Sequence, residues 1–173
     1  MNGNKLQNCA GLAAMPKLIE LNLNDNSIAS LSELRGLGSL KKLEVARNKL
    51  ANLQDFPVLP ELESFDASEN LIAENGEKEL ENLGECERLN TLIMAGNPWV
   101  DEKGDDFKKE VLIALEHLNI TQINDMEPVT AEEKTEAKNE KAERERARLE
   151  AEEEARRQAE EAKNNPPEEE AAE

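Results

Sequence analysis

The sequence predicts an α/β solenoid in which short parallel β-strands line a concave face, short helices or turns line the convex face, and a long charged α-helix follows. Two observations predict this fold class. A pattern of apolar residues and asparagine recurs with a period of 22 residues between positions 18 and 59, and continues to position 97. Residues 130–165 contain neither glycine nor proline and are dominated by Ala, Glu, Lys and Arg.

The two clearest copies of the repeat begin at Leu18 and Leu40. Their shared positions are Leu18, Leu21, Leu23, Asn26, Ile28, Leu31, Leu34 and Leu37 in the first copy, and Leu40, Leu43, Val45, Asn48, Leu50, Leu53, Phe56 and Leu59 in the second. A third copy, 27 residues long, contains Leu62, Phe65, Ala67, Asn70 and Ile72, and a fourth contains Leu89, Leu92, Met94 and Asn97. Residues 4–15 match only the rear half of a repeat, so the first repeat is predicted to be incomplete.

Each position of the repeat has a physical role. In a short strand the two apolar residues of a Leu-x-Leu unit point inward, while the residue between them faces the opposite side. The asparagine at a fixed offset can satisfy main-chain groups where the chain leaves the strand, so successive asparagines are expected to form a ladder. Because one repeat cannot bury its own apolar face, stacking is required for stability.

These residues resemble the leucine-rich repeat family, in particular its subclass with 22-residue repeats, over about residues 4–127. The run from Asn97 and Pro98 to Asp125 is similar to the C-terminal cap of that subclass, with Phe107, Val111, Leu115 and Leu118 at helical spacing. The resemblance implies leucine-rich repeats over 1–97 and a cap over 98–127.

The remaining residues are predicted to form a long charged helix over 128–163 and a disordered acidic tail over 164–173. Thr130 and Glu133 have the spacing of a capping box at the start of the helix. One interpretation is a solvated spacer. The other is a helix that lies along a partner and contacts it through Ala137, Ala142, Leu149 and the arginines from Arg144 to Arg157, Arg148 among them.

The candidate partner-binding surface is the concave face, formed by the residues that alternate with the inward ones. They are Glu20, Asn22, Asn24, Lys42, Glu44, Ala46, Arg47, Ser64, Asp66, Ser68, Thr91, Ile93 and Ala95. The alternative for any one of them is a solvated strand residue. Trp99 is a further candidate anchor, with packing against the cap as its alternative. The edge of the first strand is expected to be covered either by residues 1–15 or by another chain.

Charge and composition exclude several functions. The formal net charge of −18 repels nucleic-acid phosphates and anionic lipids, so a protein with a basic surface is the expected partner. Cys9 and Cys86 lack metal-like or Cys-x-x-Cys spacing and are expected to be reduced and structural. His117 has no nucleophile pattern around it, and no motif predicts a cofactor, a metal, a small-molecule substrate or an enzyme. No signal sequence or membrane-spanning stretch is expected.

The Gly-Asn-Pro turn of the cap, followed by a capped helix beginning Val-Thr-Ala-Glu-Glu-Lys, most resembles ciliary leucine-rich repeat proteins, including that of the radial spoke. This resemblance implies a non-catalytic scaffold in a larger assembly, most simply in the cytoplasm and ciliary axoneme. A spliceosomal or nuclear adaptor that holds an RNA-binding protein is the alternative, and a phosphatase regulatory subunit is a third possibility.

Overall fold

A computed structural model describes residues 3–73 and 76–164 of the 173-residue chain. Its strands are β1 (Glu20–Asn22), β2 (Lys42–Glu44), β3 (Ser64–Asp66), β4 (Thr91–Ile93) and β5 (Gln122–Ile123). Its α-helices are α1 (Gly76–Glu81), α2 (Pro98–Lys103), α3 (Phe107–Ala114) and α4 (Ala131–Asn164), and single turns of 3₁₀ helix cover Leu12–Ala14, Ser32–Leu34 and Gly104–Asp106. Apart from Asn164, the predicted tail lies outside the described residues.

The five strands form one parallel sheet in the order in which they occur along the chain. Leu21 is in register with Leu43, Leu43 with Phe65, and Phe65 with Leu92, as the repeat spacing predicts. The residues that begin and end β1 to β4 therefore share one face of the sheet, and the central residues share the other. This is the predicted solenoid of strands.

The core lies behind the sheet and is continuous from Cys9 to Ile123, with Ala137 as its one member from α4 among the described residues. Large residues such as Phe65, Phe107, Leu23 and Leu43 are completely buried. Leu18 and Phe56, also predicted to face inward, are only partly buried at its margin. The repeats and the cap therefore form a single apolar core.

A ladder of buried asparagines connects the repeats, as predicted. Asn48 Nδ2 donates hydrogen bonds to the carbonyl oxygens of Leu23 and Val45, at 3.0 and 2.9 Å, and its Oδ1 accepts the amide hydrogen of Ile28 at 3.0 Å. Asn70 and Asn97 repeat this arrangement one repeat further along the chain. Each asparagine thus satisfies main-chain groups of its own repeat and of the one before it.

The N-terminal segment continues the pattern instead of leaving the first repeat bare. The amide nitrogen of Leu6 donates to Asn26 Oδ1 at 3.1 Å, and the Ser27 amide donates to the Leu6 carbonyl oxygen at 2.8 Å. The Gly3 amide donates to the carbonyl oxygen of Asn24 at 3.1 Å. Of the two expectations for this end, the structure supports covering by the chain's own first residues.

Two elements go beyond the four predicted strands. The third repeat is lengthened by helix α1, which carries Glu79 to the main-chain amide of Leu53. The cap contributes β5, which pairs with β4 and is followed by Asn124, whose Oδ1 accepts the Met94 amide hydrogen at 2.7 Å. The asparagine ladder therefore extends into the cap.

Candidate protein-binding surface

The concave face is built from three columns of side chains that run across the strands. Strand register places Glu20, Lys42, Ser64, Thr91 and Gln122 in one column, and Asn22, Glu44, Asp66 and Ile93 in the next. Asn24, Ala46, Ser68 and Ala95 follow at the ends of the strands. The structure therefore brings the predicted strand residues together on one surface, except that Ala46 is buried and offers nothing to a partner.

Charged and polar side chains on this face hold one another in place. Lys42 Nζ lies 2.7 Å from Glu44 Oε1, and the Asn22 amide donates to the other oxygen of Glu44. The hydrogen bond to Glu44 raises the pKa of Lys42, with smaller contributions from Glu20 and Asp66. Three carboxylates thus surround a single lysine, and the first half of the face is acidic.

The side chains of the second half of the face are smaller and less charged than those of the first. Asp66 Oδ1 accepts hydrogen bonds from the amide and the hydroxyl of Ser68, at 2.9 and 2.7 Å. Beyond it lie Thr91, Ile93 and Ala95, of which Ile93 is half-buried. A partner that matches the whole face therefore combines a cationic group with a short apolar one.

Arg47 lies at the rim of this surface in an ion-pair ladder. Its guanidinium donates to Asp25 at 2.9 Å and to Glu69 at 3.4 Å, one repeat to either side. All three residues adopt positive φ angles, between 51° and 57°, at equivalent turns. The hydrogen bond to Asp25 raises the pKa of Arg47. Arg47 is nearly half exposed, so it is both a link between repeats and an accessible cation.

Trp99 does not belong to this surface, although the sequence placed it among the candidate contacts. It is 4% exposed and packs edge-on against Phe107, with ring centroids 5.3 Å apart. The Gly-Asn-Pro turn starts α2 at Pro98, and this directs the indole into the core. The alternative of packing against the cap is therefore the one that the structure supports.

The predicted contacts on the long helix fall into two groups. Arg144 makes a bidentate pair with Glu110 of α3, at 2.9 Å for both hydrogen bonds, and so links the helix to the cap. Arg148 and Leu149 lie one turn further along and are exposed, with Arg148 paired at 3.6 Å to Glu152 of its own helix. Arg144 nevertheless remains 44% exposed, so both groups are accessible to a partner, whereas Ala137, also predicted as a contact, is buried.

Sequence analysis missed Glu110, whose side chain is 8% exposed. The hydrogen bond from Arg144 lowers its pKa, against the opposing effect of burial. In the sequence Glu110 stands beside Lys108 and Lys109 in the cap helix, a pattern typical of solvated charged residues. No local feature indicates an ion-pair partner 34 residues away.

Within the described residues, no group of His, Cys, Asp and Glu is arranged to hold a metal ion. Nor does any helix among residues 3–73 and 76–164 have the length and apolar character needed to cross a bilayer. His117 lies 3.0 Å from the carbonyl oxygen of Gly84, which places its ring in a structural contact between the third repeat and the cap.

The parallel sheet and its asparagine ladder are those of a leucine-rich repeat fold. Residues 16–60 match a family model described as Leucine Rich repeats (2 copies). No protein of curated function matches the chain in sequence.

Solved structures show the same fold. A chain of the Drosophila melanogaster SNF/U2A' complex is similar with a TM-score of 0.67 and 20% identity, over 80% of this chain and 78% of that one. An internalin of Listeria monocytogenes is similar with a TM-score of 0.55 and 23% identity, over 71% of this chain and 32% of the internalin. This chain therefore spans about a third of the internalin's length. At these identities the likeness concerns the fold alone.

Proposed function

We propose that the protein is a non-catalytic scaffold that binds a basic protein surface on its concave face and works within a larger assembly. The observation that supports this most is the alignment of Glu20, Glu44 and Asp66 around Lys42 on one open sheet face. Complementary charge increases the rate and selectivity of association. The small side chains of Ser68 and Ala95 leave room for those of the partner. The exposed half of α4, with Arg148 and Leu149, offers a second contact.

We propose the ciliary axoneme as the setting, in a radial spoke or dynein-associated complex, because the cap and capped helix resemble ciliary proteins of this class. The nuclear alternative has support of equal weight. The neighbour from the SNF/U2A' complex matches over most of both chains and is itself part of a protein complex, which favours an adaptor that holds an RNA-binding protein.

Localisation of a tagged copy separates the two settings. Retention with axonemes after detergent and salt extraction is expected, whereas release with the nucleoplasm would favour the spliceosomal role and reject the axonemal one. The concave face is tested in the same cells with Glu44→Lys/Asp66→Lys. A matched control with the same change of charge is Glu85→Lys/Glu87→Lys, at exposed positions away from the strands. Retention lost only in the concave variant supports binding on that face, and equal retention of both variants contradicts it.

A further inference from the structure

Helix α4 consists of two parts with different surroundings. From Ala131 to Arg144 it lies across the cap helix α3. From Glu145 to Glu160 every side chain is exposed. The first part, residues 131–144, is called the strap below.

The strap contributes little apolar surface of its own to its contact with α3. Ala137, 1% exposed, is its one buried side chain, and alanine is the smallest apolar residue that could fill that place. Open grooves flank this contact on both sides. One, of about 170 Å³, is lined by Ile113, Ala114, Lys141 and Arg144, and the other, of about 180 Å³, is lined by Lys108, Leu112, Glu133 and Glu136. The strap thus adds only Ala137 to the apolar core among the described residues.

Ion pairs make up most of the remaining contact. They are Lys108–Glu133 at 2.7 Å, Lys109–Glu140 at 3.3 Å, Glu116–Lys138 at 3.9 Å, Glu116–Lys141 at 3.3 Å and Glu110–Arg144 at 2.9 Å. In four of these five pairs both side chains are at least 15% exposed, and such pairs contribute little and are screened by salt. The bidentate pair of Glu110 and Arg144 is the one with a buried carboxylate, so it is expected to contribute most.

The repeats do not depend on the strap in the same way. Their core consists of leucine, isoleucine and phenylalanine side chains between Cys9 and Ile123, and their main-chain groups are satisfied by the asparagine ladder. Burial of apolar surface is insensitive to ionic screening at moderate salt, whereas charge pairing is weakened by it. The two parts of the molecule are thus held by forces that respond differently to salt.

We propose that the strap is a charge-held conformational switch, which detaches from α3 when its ion pairs are screened or broken while the repeats and the cap stay folded. After detachment, the exposed half of α4 is no longer held in one direction relative to the repeats. Detachment also uncovers Leu112 and Ile113, now 6% and 9% exposed, beside the cations Lys108 and Lys109 and the carboxylates of Glu110 and Glu116.

Pulsed electron spin resonance on the full chain measures this directly. Spin labels are attached at Ala51→Cys on the repeats and Ala151→Cys on the exposed half of α4, both exposed positions, while the native cysteines are buried. At low ionic strength a single narrow distance distribution is expected. In 1 M NaCl, where the screening length is about 3 Å, the narrow distribution should be lost. Fluorescence of the buried Trp99 should stay unchanged, since the cap remains folded.

Charge variants identify the cause. Arg144→Glu should broaden the distribution at low ionic strength, whereas Arg148→Glu, which makes the same change one turn beyond the contact, should leave it narrow. The charge-exchange variant Glu110→Arg/Arg144→Glu should restore the narrow distance distribution. Should the exchange variant not fold, Glu140→Lys, at a partly exposed position of the strap, provides an independent test and should also broaden the distribution. A distribution that stays narrow both in 1 M NaCl and in Arg144→Glu would overturn the proposal, as would equal broadening by Arg148→Glu.

Discussion

Asn48 Oδ1 accepts the amide hydrogen of Ile28, one repeat earlier in the stack, at 3.0 Å. The same side chain donates to the carbonyl oxygens of Leu23 and Val45. Since the side chain is 7% exposed, water cannot readily replace it. A single amide therefore joins two neighbouring strands behind the surface proposed to bind the partner.

Asn48→Ala is expected to destabilise the domain by about 1–3 kcal/mol, because the buried Ile28 amide loses its acceptor. The carbonyl oxygens of Leu23 and Val45, in contrast, keep hydrogen bonds from Asn26 and Asn70. Urea unfolding followed by circular dichroism gives the free energy of unfolding. The control is Asn52→Ala, at an exposed turn, where a change below about 0.5 kcal/mol is expected. Equal losses of stability in the two variants would show that the asparagine ladder does not stabilise the domain more than an exposed asparagine does.

Asp55→Glu is expected to stabilise the domain. At two equivalent places between repeats a glutamate accepts a main-chain amide hydrogen, from Cys9 to Glu33 and from Leu53 to Glu79. Between them Asp55, one methylene shorter, makes no hydrogen bond to the Leu31 amide in the described structure, and a cavity lies beside it. Glutamate can reach that amide, so a gain of about 0.5–1.5 kcal/mol is expected in the same unfolding measurement.

Asp55→Gln is the matched comparison, since it has the length of glutamate without its charge. It should give a smaller gain, because hydrogen bonds to charged acceptors are stronger. A variant Asp55→Glu that is no more stable than the parent would mean that the Leu31 amide is already satisfied, for instance by water.

The repeats could be predicted from sequence because each constraint is local and recurs. Leu21, Leu43, Phe65 and Leu92 occupy equivalent positions, and the asparagines follow at the same offset, so one physical role explains every copy. The repeat-like pattern of residues 4–15 also follows from the spacing of Leu6, Cys9 and Leu12.

The parts that could not be predicted depend on single, non-repeated contacts. The place of the strap is set by Ala137 and by the pair of Glu110 with Arg144, and both look like ordinary solvated positions in a charged helix. For Trp99 the sequence left partner contact and packing against the cap open, and the direction in which α2 starts decides for the cap. Strand β5 contains only two residues. Such a short strand forms because the edge of β4 is available for pairing, and its own sequence pattern does not indicate it.

The pair of Glu110 and Arg144 predicts a loss of stability in acid. The Arg144 guanidinium lowers the pKa of Glu110 below its ordinary value of 4.5, so the carboxylate stabilises the folded state fully above that value. As the pH falls through the lowered pKa, the carboxylate is protonated and this contribution is lost. Unfolding measured from pH 7 downward should therefore show a decline below about pH 4.5 that is smaller in Glu110→Gln. Identical pH profiles for the two proteins would contradict this assignment.

Cys9 is expected to be unreactive in the folded protein. Burial, together with the nearby Glu33 carboxylate, raises the pKa of its thiol to about 11 from 9.0. Since the thiolate is the reactive form, alkylation by iodoacetamide at pH 8 should be about 100-fold slower than in urea, a factor that follows from the change in thiolate fraction. Peptide mass spectrometry of the time course measures each cysteine separately. Rapid labelling of Cys9 without denaturant would show that the N-terminal half repeat does not cover the stack.

The central claim is that the concave strand face, and not the convex side, binds the partner. It is tested most directly by placing a photo-crosslinking amino acid in cells either at Ser64, in the middle of the concave face, or at Gln54, exposed on the convex side. The account predicts a discrete crosslinked protein from position 64 that is absent from position 54 and is lost with Glu44→Lys/Asp66→Lys. A crosslink from position 54 alone, or one from position 64 that survives the charge reversal, would contradict it.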